Sequence, residues 1–176
     1  MNTDQLFEKF DRQTLTDMKL NFKKFFESES YSRKESALTA LACAEAVRCP
    51  ELIAFAEKAA KESEASDEEI SEARDAAIVM GVANNYYRFR HFVKKDDYQK
   101  PAGFRMSVMA KPVMGKKAFE MAALAVSVIN GCEVCVEGHE KSVIEHGGSV
   151  ETVHDVARLA SCINGLAIAF EQIRRR

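Results

Sequence analysis

Apolar residues recur at three- and four-residue spacing along almost the whole chain, the period of helices with one buried face. In SRKESALTALACAEAV, Leu38, Leu41 and Ala42 keep this phase, and the opening Ser32-x-x-Glu35 predicts a reciprocal capping box. Pro50 predicts a new helix start, PELIAFAEKAAKES, because proline at the first helical position loses only an N–H that has no partner there. Ser66 with Glu69 predicts a second capping box, before a helix whose stripe is Ile70, Ala73, Ala77, Met80, Val82 and Ala83. Residues Lys94 to Met114, with Pro101, Gly103 and Pro112, break the period and predict one long irregular connection. Three further helices follow, punctuated by Asn130-Gly131 and Gly147-Gly148. Near the N-terminus, LFEKF and MKLNFKKFF carry Phe7, Phe10, Phe22, Phe25 and Phe26, expected in the core or at a subunit contact. The closing run of arginines is explained by the negative end of a helix dipole.

Composition narrows the class. The 176 residues, 47% hydrophobic and 30% charged, suffice for one domain with a genuine core. Only 3 prolines and 8 glycines argue against a turn-dense β protein, so the fold class is all-α. A net charge of −2 offers nothing to a polyanion, and nucleic acid is excluded as an expected partner. No uninterrupted apolar stretch is long enough to predict a membrane span, and the charged first thirty residues show no signal peptide. Five cysteines, an odd number in a chain with an ample core, do not read as a secreted disulfide framework. The expectation is a cytoplasmic protein in which a close cysteine pair does redox or metal chemistry.

Sliding the chain along itself by 83 residues lays Leu41-Ala42 on Leu124-Ala125, Cys49 on Cys132 and Glu57-Lys58 on Glu140-Lys141. One more residue of offset lays Ala73-Arg74 on Ala157-Arg158 and Gly81 on Gly165. The matches predict two copies of a three-helix unit, packed face to face. They also transfer information: since Pro50 starts a helix just after Cys49, Cys132 should be a helix N-cap, hinged by Gly131. There, unpaired N–H groups and the dipole favour a thiolate.

The chemistry concentrates in Cys132-Glu133-Val134-Cys135-Val136-Glu137-Gly138-His139. On a helix beginning at Cys132, Cys135 and His139 share its face, so the sulfurs come within disulfide reach and an imidazole lies near the Cys135 thiol. A histidine suits the deprotonation that a thiol needs before it can attack. Three readings compete: two buried cysteines and a surface histidine without function, a zinc site of two thiolates and one imidazole, and a dithiol redox centre. The zinc reading lacks a fourth ligand at defined spacing, with His146, His154 and Cys162 as the remaining candidates.

FEMAALAVSVINGCEVCVEGHE, with NNYYRFRHFV and FRMSVMAKPVMGK before it, resembles the AhpD-type alkyl hydroperoxide reductases of the carboxymuconolactone decarboxylase-like superfamily. The likeness runs over essentially the whole chain. It implies an AhpD-like fold of two related helical halves with pseudo-twofold symmetry, a single domain over 1–176 with a degenerate first half (about 32–93) and an active second half (about 113–173). It also implies a homotrimer or higher homo-oligomer that holds no metal and no bound cofactor. Carried over, Glu120 belongs to a proton relay, Cys132 is the proton-donating and resolving thiol, Cys135 forms the sulfenic acid, His139 activates it, and Cys132 and Cys135 form the redox disulfide. The substrate is then an organic hydroperoxide, the reductant a dihydrolipoyl group on a lipoyl-bearing protein, and a further partner an AhpC-type peroxiredoxin reached through a mixed disulfide at Cys135. One position departs: the family pattern often has histidine directly before the second cysteine, where this chain has Val134. Water is expected to replace that side chain, with slower turnover.

The residues allow Glu120, if desolvated, to exchange a proton with Cys132; the alternative is a solvated carboxylate in a first helical turn. Cys43 and Cys162 are expected to be buried hydrophobes. Cys49 would be a vestige, since its partner position holds Leu52 and its histidine position Ala56. His91, His146 and His154 receive no role. Competing functions are an electron-transfer adaptor with incidental peroxide activity, a decarboxylase-like enzyme, and a zinc-binding interaction module.

Overall fold

The computed structural model describes residues 3–8 and 10–175, among which regular structure is entirely helical. The α-helices are α1 (Thr3–Leu6), α2 (Gln13–Phe26), α3 (Arg33–Ala46), α4 (Pro50–Glu62), α5 (Asp67–Val93), α6 (Lys116–Asn130), α7 (Glu133–Glu145) and α8 (Val150–Arg174). Ser32 and Ser66 each accept an N–H from the glutamate three residues on, whose carboxylate returns the bond, so both capping boxes form as predicted. The irregular connection holds two 3-10 turns, Asp96–Tyr98 and Ser107–Met109.

Alanine-rich α3 and α6 form the centre, buried along most of their length and packed against each other. Small side chains let these two helices approach closely, while the longer α5 and α8 close over them. Phe7, Phe22 and Phe26 are buried, joining Phe55 and Phe170 in an aromatic cluster that ties the N-terminal helices to the bundle. Helix α8 has the length and composition of a membrane span, but its apolar stripe, Val156, Leu159, Ile163 and Leu166, is buried in the core.

The joint between α3 and α4 recurs between α6 and α7. Cys49 and Cys132 are N-caps with backbone angles φ −99°, ψ 106° and φ −98°, ψ 95°, and each donates its N–H at 3.1 Å to a carbonyl five residues back, of Ala44 or Ser127. The next caps, Ser66 and Ser149, are also 83 residues apart. The added residue expected in the second part of the repeat is therefore not present in that loop: Ala73, Met80 and Ala83 are buried in step with Val156, Ile163 and Leu166, all at the original offset.

Two buried carboxylates keep the same register. Glu72 accepts the backbone N–H groups of Val113 and Met114 just before α6, and Asp155 accepts the hydroxyls of Ser28 and Ser30 just before α3. The expected α5 stripe is altered: Val82 faces outward, whereas Glu72 and Asn84 lie inside, because each finds hydrogen-bond partners there. Cys43 is fully buried as expected, but Cys162 is only partly so.

Candidate active site

Helix α6 ends at Gly131, whose φ of 65° is left-handed and suits a residue without a side chain. Helix α7 then starts, with Cys132 as its N-cap and Cys135 in its first turn. The Cys132 carbonyl accepts the N–H of Val136 at 2.9 Å, which fixes the cap, and the two sulfurs are joined as a disulfide across Cα atoms 5.3 Å apart. Cys132 is fully buried; Cys135, at 9% exposure, is the more accessible residue of the pair.

His139 follows Cys135 by one turn of α7. Its Nδ1 lies 2.6 Å from Glu120 Oε2, and the other carboxylate oxygen, Oε1, is 2.8 Å from Lys116 Nζ. Glu120 is thus neither solvated nor in a first turn: it is buried on the second turn of α6 with both oxygens occupied. Burial pushes its carboxyl up, but hydrogen bonds and charge from His139 and Lys116 outweigh that, leaving it below the usual carboxylate range. An ionised carboxylate can only accept, so Nδ1 of a neutral His139 carries the hydrogen and Nε2 is left as the basic nitrogen. The hydrogen-bond partner of Glu120 across the joint is thus His139.

Helix α5 secures the joint from behind. Asn84, fully buried, donates to Ser127 Oγ at 2.9 Å and accepts from Asn130 Nδ2 at 2.9 Å, while Arg88 donates to the Asn130 carbonyl. Ser127 also supplies the carbonyl that holds the Cys132 N–H, so this network reaches the cap of the first cysteine. His91, given no role from sequence, lies 3.2 Å from Glu133, which stands between the cysteines. His146 turns its Nδ1 to the Ser142 carbonyl at 2.7 Å, within its own helix.

Lys116, Asn84, Arg88 and Asn130 escaped the sequence reading. Two signals were present: an asparagine one turn after Met80 on a buried stripe, and a lysine at the start of a helix, where the dipole disfavours it. Among the described residues, no group of three or more histidine, cysteine, aspartate or glutamate side chains is arranged to hold a metal.

Comparison with known proteins adds the family. The carboxymuconolactone decarboxylase family profile matches residues 98–174, which contain α6, α7 and α8. The alkyl hydroperoxide reductase AhpD of Anaeromyxobacter dehalogenans (strain 2CP-C) is 40% identical over 156 residues, covering 88% of this chain and 83% of the relative. Those of Coxiella burnetii (strain Dugway 5J108-111) and Maricaulis maris (strain MCS10) are 39% and 38% identical, each covering 86% of this chain and 87% of the relative. With these relatives matched across both halves and the cysteine pair closed as a disulfide, the chain belongs to the AhpD group of the carboxymuconolactone decarboxylase family.

Proposed function

We propose that the protein is an alkyl hydroperoxide reductase working through a Cys132–Cys135 dithiol/disulfide cycle. The observation that carries this reading is the convergence of the cysteine pair with a Glu120–His139 couple on one short helical joint. Nε2 of His139 takes the Cys135 proton, and the thiolate attacks the terminal oxygen of the hydroperoxide. The O–O bond breaks, Cys135 becomes a sulfenic acid, and the alkoxide leaves as alcohol after taking the proton from His139. Cys132 attacks the sulfenic sulfur, forming the disulfide and releasing water. A dihydrolipoyl dithiol on a partner protein reopens the disulfide by exchange, becoming a cyclic disulfide itself.

The greater exposure of Cys135 supports its attack on peroxide and its use in a mixed disulfide with an AhpC-type peroxiredoxin. In this proposal Val134, which is exposed, leaves any proton transfer at its position to water. The reducing cytoplasm fits a dithiol that must be regenerated. Exposed Phe92, Ile78 and Val113 support burial against further copies of the chain in a trimer or higher oligomer.

The test is consumption of an organic hydroperoxide with dihydrolipoamide as donor, comparing the native protein with Cys135→Ser and His139→Gln. Cys135→Ser is expected to abolish turnover, and His139→Gln to lower it by about 10²–10⁴-fold. Full activity in Cys135→Ser would overturn the cycle. Faster disulfide transfer to a peroxiredoxin than direct peroxide reduction would make the adaptor role the principal one.

A further inference from the structure

Lys116 occupies a place that helix energetics do not explain. It is the first residue of α6, whose capping Gly115 provides no side-chain cap and whose first turn contains no acid, so its charge faces the positive end of the dipole. It also stands N-terminal to its glutamate partner, the weaker orientation for a pair four residues apart. Yet the ammonium is held at two points, 2.8 Å from Glu120 Oε1 and 2.9 Å from the Met109 carbonyl. The first bond reaches a side chain only 4% exposed, whereas the lysine is 35% exposed, so it brings charge from the surface to a buried anion.

Resting on the redox reading above, we propose that Lys116 is a positioning residue of the thiol site, which keeps Glu120 ionised so that Glu120 can hold His139 with Nε2 free to serve Cys135. Two side chains act on Glu120, His139 from α7 through a hydrogen bond and Lys116 from its own helix through an ion pair. Charges on the other packed elements are engaged elsewhere: Glu35 of α3 with Lys117, Glu72 of α5 with the amides of Val113 and Met114, and Asp155 of α8 with Arg158. A buried carboxylate left with the histidine alone would share its proton with the ring, and His139 would lose the fixed tautomer that makes it a base.

The sign of the pH effect follows. Removing a nearby positive charge makes a carboxyl harder to deprotonate, so without Lys116 Glu120 takes up its proton at higher pH and lets go of its fixed bond to His139 there. The low-pH limb of activity then moves upward. A stability effect accompanies it: a carboxylate depressed on folding stabilises the protein above the ordinary carboxylate range and loses that contribution as pH falls through its folded value. In the variant the folded value is higher, so acid unfolding begins at higher pH.

The experiment compares Lys116→Met, Lys116→Arg and Lys117→Met with the native protein, following pH profiles of hydroperoxide reduction and of iodoacetamide alkylation of Cys135 in the reduced protein. Lys116→Met keeps the aliphatic stem and removes only the charge. It is expected to move the acid limb of both profiles upward by about 0.5–1 pH unit, a three- to tenfold loss on that limb. Lys116→Arg should restore the native limb. Lys117→Met, which removes an equal charge paired 2.7 Å from Glu35, should leave it in place. Equal loss at all pH values in Lys116→Met, or an unmoved limb, would overturn the role of Lys116. Failure of the native protein to reduce peroxide would instead overturn the function, while the alkylation profile continued to report on the lysine.

Discussion

The α3–α4 and α6–α7 joints are one piece of backbone with two sets of side chains. At each, a buried cysteine caps a helix with nearly the same dihedral angles and the same hydrogen bond to a carbonyl five residues back. Around Cys132 stand Cys135, His139 and Glu120; at the corresponding places, 83 positions earlier, are Leu52, Ala56 and Ala37. The Cys49 thiol donates to the Glu51 carboxylate at 3.4 Å and also meets the Leu52 backbone, and that carboxylate is paired with Arg174. Burial pushes the Cys49 thiol up, and the adjacent Glu51 pushes it further. A helix N-cap therefore does not by itself make a reactive thiolate: desolvation and one carboxylate outweigh the dipole. The second joint differs by holding a second cysteine, bonded to the first, and a histidine hydrogen-bonded to a buried carboxylate.

The sharpest way to break this contrast is to delete each capping cysteine in turn. In the proposed cycle Cys132→Ala deprives Cys135 of its resolving thiol, and steady-state peroxide reduction should fall by at least about 10²-fold, the scale on which covalent partners act. Cys49→Ala should leave turnover within about twofold, because its surroundings supply neither base nor partner. A free-thiol count after one equivalent of peroxide gives the same comparison chemically: two thiols lost in the native protein and in Cys49→Ala, none lost as an internal pair in Cys132→Ala. Loss of turnover in Cys49→Ala would show that the first joint takes part in the chemistry.

How far the contrast was legible in the sequence depends on the kind of residue. Cys132, Cys135 and His139 announce themselves because local helix spacing alone puts them on one face. The cap at Cys132 was legible because Pro50 marks its counterpart. Glu120 was visible, but its partner was not, since contact with His139 crosses from α6 to α7 and depends on how those helices pack. Asn84 and Arg88 lie on α5, far along the chain: helix spacing from Met80 marks the asparagine as inward, but which joint it braces depends on how α5 packs on α6. The register of the second part of the repeat was misread for a related reason: in alanine-rich helices, Ala73-Arg74 finds a chance match one position out of step. The structural register comes instead from the caps at Ser66 and Ser149 and from the paired carboxylates Glu72 and Asp155.

A smaller effect probes why only one joint is braced. Asn84 and Ser127, both buried, and half-buried Asn130 form a hydrogen-bonded set behind Cys132; their counterparts are Ala167, Ala44 and Val47, which need no such bonds. Asn84→Ala removes one partner from the buried Ser127 hydroxyl and one from the half-buried Asn130 amide and should cost about 1–3 kcal/mol of stability, measured by urea unfolding. Ala167→Gly, at the corresponding place in the other half, removes no side-chain hydrogen bond and should cost about 1 kcal/mol from helix propensity alone. If the Asn84 network positions Cys132, the reduced Asn84→Ala variant should also close its disulfide more slowly after peroxide addition. An equal rate in the folded variant would confine the network to stability.

The mildest difference lies in the residue just before each cap. Gly131 has φ 65° and Arg48 has φ 55°, so the same left-handed turn is made once by the residue suited to it and once by a residue with a Cβ. A residue bearing a side chain pays about 1–2 kcal/mol for this conformation, whereas glycine brings extra freedom to the unfolded chain of about 0.5–1 kcal/mol. The difference sets opposite signs for two exchanges. Arg48→Gly should stabilise the protein slightly, by at most about 1 kcal/mol, and Gly131→Ala should destabilise it by a similar amount, even though no heavy atom lies within 4 Å of the added Cβ. Unfolding midpoints of the two variants measure this directly. A stabilising Gly131→Ala would mean that chain entropy outweighs backbone strain at this turn, and that the glycine beside Cys132 is there for a reason other than its left-handed angle.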